Sequence, residues 1–79
     1  MHNNNDINTI GDLIFQKLQE KGRSVVWLSK QVGCDESNLR KTLKNSRYIY
    51  CDLLLRISEA LDEDFFVYYS QKMEGVKNQ

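Results

Sequence analysis

An all-α fold, a bundle of five short helices, is what this sequence predicts, and three observations carry the expectation. Apolar residues recur three and four positions apart in successive stretches, the spacing of one helix face and not of a strand. Ser, Thr or Asp stands ahead of most of these stretches and Gly follows the first two, which is the chemistry of helix starts and stops. Finally, the 79 residues include no proline and only four glycines, a composition that suits tight connections between helices and argues against an all-β reading. A chain of this length makes one domain with a marginal core, a shortage that a helical dimer would relieve.

Residues 1–8, MHNNNDIN, are polar and aperiodic and read as a mobile arm. Such arms enter a minor groove with Arg or Lys, and this one has neither. The first helix starts at Asn8 or Thr9 as cap, with Asp12 placed to complement the positive end, and runs to Lys21. Ile10, Leu13, Ile14 and Leu18 form its buried stripe, Phe15 widens it, and Gly22 supplies the stop. Ser24 caps the second helix, which holds Val25, Val26, Leu28 and Val32; its β-branched residues make it depend on tertiary contacts. Trp27 falls off the stripe and reads first as a packing anchor, second as a platform for a base.

The chain then breaks at Gly33-Cys34, where Gly33 can take a positive φ, and Asp35 can cap a third helix from Glu36 to about Lys44. Leu28 and Val32 before the break, and Leu39 and Leu43 after it, give each half one apolar face. Ser29, four residues before Gly33, is small where the two helices approach. This is the arrangement of a helix-turn-helix. With Leu39 and Leu43 inward, a turn of about 100° per residue puts Ser37, Arg40, Lys41 and Lys44 on the outer side. Arg40, Lys44 and Arg47 suit phosphates, and Asn38 lies toward the flank, within reach of a phosphate first and an adenine second. In the connection NSRYIYC, Arg47 with Tyr48 and Tyr50 could grip a backbone strand, or the rings could cover the core edge around Ile49. The fourth helix begins near Asp52, with Leu54, Ile57, Ser58 and Leu61 inward. Asp64 caps the fifth, FFVYYSQKM, in which Phe66, Tyr69 and Met73 share a stripe that Phe65 and Tyr68 broaden. That surplus of aromatic surface points to a dimer contact through Phe66 and Tyr69. The folded domain spans residues 9–71, and residues 72–79 should fray.

The stretch SVVWLSKQVGCDESNLRKTLK, followed by LLLRISEAL, resembles the helix-turn-helix and fourth helix of the Cro and phage-repressor (XRE-type) transcriptional regulators. The resemblance covers about Ile10 to about Tyr69 and rests on spacing. It implies a five-helix repressor-like bundle that reads double-stranded DNA as a homodimer. In that family the second and third residues of the recognition helix, and the one four beyond the third, commonly touch base edges; here these are Glu36, Ser37 and Lys41. Lys41 could donate to guanine, Glu36 could accept from cytosine, and Ser37 discriminates little. Three positions depart from the common pattern: Val25 stands where Gln often holds a phosphate, Ser29 where Ala is commonest, and Thr42 where an aliphatic residue is frequent.

A formal net charge of zero is unlike a strongly electrostatic nucleic-acid binder, but the charges are unevenly placed. From Lys21 to Arg56 eight basic residues face only Asp35, Glu36 and Asp52, and the acidic excess lies toward the two ends. Cys34 and Cys51, with His2 distant in sequence, cannot supply a four-ligand zinc site, so no metal or other cofactor is expected and the thiols read as reduced. No catalytic pair and no glycine-rich phosphate cradle is present, which argues against an enzyme. With no secretory leader and no membrane-length apolar run, the expected address is the cytoplasm. The competing expectation is a protein-interaction module of the same fold, an antitoxin or adaptor, that does not depend on DNA.

Overall fold

The computed structural model describes residues 9–45 and 49–77, residues 72 and 74–77 as backbone alone. The described residues form five helices in chain order: α1 (Ile10–Glu20), α2 (Val25–Val32), α3 (Glu36–Asn45), α4 (Cys51–Leu61) and α5 (Phe66–Lys77). No strand occurs among them, so the all-α expectation holds.

Each early boundary has a local cause. At α1, Thr9 and Asp12 exchange hydrogen bonds, the Asp12 N–H donating to Thr9 Oγ1 and the Thr9 N–H to Asp12 Oδ2, which completes a capping box. Gly22, at φ 67°, ends the helix while the Arg23 N–H donates to the Leu18 carbonyl. Ser24 caps α2 by accepting from the Trp27 N–H. Gly33, at φ 75°, closes α2, and both its N–H and that of Cys34 donate to the Ser29 carbonyl at 2.9 Å. Ser29 itself is 4% exposed and satisfies its hydroxyl by donating to the Val26 carbonyl at 2.7 Å.

The core is one cluster. Ile10, Ile14 and Leu18 of α1 meet Leu28 and Val32 of α2, Leu39 and Leu43 of α3, and Leu54, Ile57 and Leu61 of α4. Ile49 and Phe65, in the connections on either side of α4, plug its two ends. Packing of α1 on α3, α2 on α3 and α2 on α4 places α3 between two supports. At the first of these, Gly11 lies against the Leu43 carbonyl, and a Cβ there would overlap that oxygen. Arg56 ties α4 to the end of α2, its guanidinium donating to the Val32 carbonyl at 3.4 Å.

After α4 the chain turns through Asp62, a non-glycine residue at φ 55°. The Glu63 N–H donates to the Ser58 carbonyl and the Phe65 N–H to the Ser58 hydroxyl, which sinks Phe65 into the core. Lys17 of α1 and Lys21, just past its end, reach Glu63 at 3.6 and 3.9 Å. Asp64 accepts from the Phe66 N–H as the cap of α5. This helix continues through Lys77, past the end of its apolar stripe at Met73 and into the stretch expected to fray.

Candidate nucleic-acid interface

The candidate site is built on α3. Asp35 starts the helix, its carboxylate accepting from the Asn38 N–H at 3.2 Å and its carbonyl from the Leu39 N–H at 2.9 Å. Leu39 and Leu43 are buried, four residues apart, and anchor one side. Ser37, Asn38, Lys41 and Lys44 are exposed, while Glu36, Arg40 and Thr42 are partly covered. The side chains expected to meet DNA therefore share the outer half of a helix whose inner half is fixed by α1 and α2.

One interaction within that set lay beyond the sequence reading. Arg40 donates to Glu36 in an ion pair of 2.7 Å, four residues apart. The carboxylate expected to accept from cytosine and the guanidinium expected to bind phosphate thus hold each other in the free protein. Their charges cancel, which leaves the positive character of the outer face to Lys41 and Lys44, neither in an ion pair among the described residues. Lys30, on the exposed side of α2, adds a third cation next to the turn in sequence.

The flanks divide. Arg47 and Tyr48, expected at phosphates, lie outside the described residues, as does the 1–8 arm. Ile49 is buried, whereas Tyr50 is 86% exposed, so its ring does not cover the core edge. Tyr50 immediately precedes α4, whose first turn has no side-chain cap among the described residues. Trp27 packs against the core and takes the Arg23 guanidinium at 4.6 Å from its ring centre, a cation–π contact that occupies one face. It is an anchor here, and that face is not free to stack on a base. Phe66 and Tyr69 are half-buried and pack against the core, while Met73, on the same stripe of α5, is 62% exposed.

The free thiols of Cys34 and Cys51 line one shallow groove with Tyr50, Asp52, Leu53 and Arg56. Among the described residues no three His, Cys, Asp or Glu side chains are grouped to hold a metal ion, and no helix is long and apolar enough to cross a membrane. No protein-family model, curated protein or solved structure matches the chain.

Proposed function

We propose that this chain is a sequence-specific regulator of the Cro and phage-repressor type, one that occupies duplex DNA by inserting α3 into the major groove. The observation that carries the reading is the division of α3, with Leu39 and Leu43 held in the core and Ser37, Lys41 and Lys44 in solvent. In this reading Lys41 and Ser37 meet base edges, and Lys44, Asn38, Arg47 and Tyr48 hold phosphates. Glu36 and Arg40 trade their mutual contact for a base and a phosphate. Two copies would place their α3 helices in successive major grooves about 34 Å apart. Such a protein works in the cytoplasm, beside the chromosome.

Selection from a random duplex library tests this directly, because it reports both binding and the bases that matter. A recovered near-palindromic motif supports the reading; a library that stays random overturns it. On the selected site, Lys41→Ala should flatten the preference at one base pair, a loss of about 1–3 kcal/mol of discrimination. Lys44→Ala should weaken all duplexes alike and reduce the salt slope by about one.

The second reading, an interaction module such as an antitoxin or adaptor, draws on the zero net charge and on the Glu36–Arg40 pair, which removes one cation from the proposed groove face. Salt separates the two. A duplex complex that weakens steeply between low and moderate salt belongs to the first reading, and none is expected under the second.

A further inference from the structure

The turn from α4 to α5 borders a shallow groove with an unusual mixture of side chains. Its apolar part is Leu55, 48% exposed in the middle of a helix, and the uncovered half of Phe66. Around these stand Glu59, Asp62, Glu63 and Asp64. Lys17 and Lys21 compensate Glu63, but Glu59, Asp62 and Asp64 are exposed and in no ion pair among the described residues. The walls are fixed, since Phe65 is sunk in the core and the two hydrogen bonds to Ser58 hold the turn.

We propose that this groove is a docking site for a basic amphipathic segment of a partner protein, one that lays an aliphatic side chain on Leu55 and Phe66 and sets Lys or Arg against Glu59, Asp62 and Asp64. Charge complementarity chooses the occupant. Nucleic acid and acidic peptides carry the same sign as the rim and are repelled. A second copy docked with this groove on the two-fold axis would set these carboxylates against their own duplicates, which opposes self-association centred here. A purely polar cation would leave the apolar part wet, whereas an amphipathic segment covers both. The inference does not rest on DNA binding: the groove lies on α4 and α5, and its failure leaves the α3 reading untouched.

The test uses the full chain and three short labelled peptides: one with lysine and leucine at helical spacing, one with serine for leucine, and one with glutamate for lysine. The lysine–leucine peptide should bind and shift the amide resonances of Leu55, Glu59, Asp62 and Phe66. The serine version should bind about ten-fold more weakly, and the glutamate version not at all. Leu55→Gln and Glu59→Lys, both at exposed helical positions, should each weaken the first peptide by about ten-fold and leave duplex binding as in the parent. Equal binding of the serine peptide, shifts centred on other helices, no binding by any peptide, or resonances at Leu55 and Glu59 that change with protein concentration through self-association would each overturn the proposal.

Discussion

Gly11 and Gly33 serve opposite purposes, and alanine at each separates them. At Gly33 a Cβ meets nothing within 4 Å, so the only penalty is the left-handed backbone at φ 75°. Gly33→Ala should therefore cost about 1–2 kcal/mol and leave the packing intact. At Gly11 the backbone is helical and alanine would raise local propensity, yet its Cβ overlaps the Leu43 carbonyl. Either α1 or α3 must shift, and the cost should be about 1–3 kcal/mol, enough to show as altered Leu39 and Leu43 resonances as well as a lower denaturation midpoint. An unchanged midpoint for Gly11→Ala would mean that α1 and α3 part by the width of a methyl group at no cost. The two residues also mark what a sequence can disclose. Gly33 stands between two apolar pairs and announces a break, whereas Gly11, beside Ile10 in an ordinary helical stretch, gives no local sign of the carbonyl it must admit. The Glu36–Arg40 pair is an intermediate case: the four-residue spacing made it geometrically open, but each side chain could equally have pointed to a nucleic acid.

Helix starts are where element-scale expectations were most readable, because capping is local chemistry. Thr9, Ser24 and Asp64 each accept from a backbone N–H of the helix they precede, and Asp35 does the same for α3. Removing the last of these should matter beyond stability, since Ser37 sits in the first turn that Asp35 secures. Asp35→Ala should cost about 1 kcal/mol, and Asp35→Asn, an equally good cap, should restore the parent midpoint. If the two variants melt together, the cap does not hold α3. The end of α4 and the inter-helix ties were less readable than the stops at Gly22 and Gly33, since Asp62 at φ 55° and the Arg56 bond to Val32 depend on where other elements lie. The contacts of Lys17, with Glu20 first and Glu63 second, have a pH signature. Lys17 is held above its ordinary value of 10.5, first by its hydrogen bond to Glu20, then by the charges of Glu20 and Glu63. A raised amine pKa contributes stability that is complete below the unfolded value and is lost as pH rises through the folded one. The stability difference between the parent and Lys17→Met should thus be constant from neutral pH to about 10 and shrink above 10.5. A difference unchanged at higher pH would show that the charge of Lys17 carries none of the effect.

At the scale of the molecule, α5 is longer than the core it packs on, and that mismatch bears on assembly. Phe66, Tyr69 and Met73 recur three and four residues apart; the first two lean on the cluster, while Met73, one turn further, is left 62% exposed. A stripe that outlasts its core leaves apolar surface for a second copy, and a small marginal domain gains from covering it. Of the residues in that stripe, Met73 is the one whose replacement should disturb assembly without disturbing the monomer, because Phe66 and Tyr69 also pack internally. Met73→Glu should therefore sediment as a monomer at concentrations where the parent sediments as a dimer, and it should keep the parent's helicity. The parent should also melt at a temperature that rises with its concentration, by mass action, and the variant should not. Leu55→Gln, in the acidic groove, is the informative companion. If it dissociates the dimer while Met73→Glu does not, the subunit contact lies on α4, and the carboxylates of Glu59 and Asp62 must then be met by cations of the other copy. A parent that is monomeric at high concentration would remove the dimer, and with it the expectation that the operator is a near-palindrome with half-sites one helical turn apart.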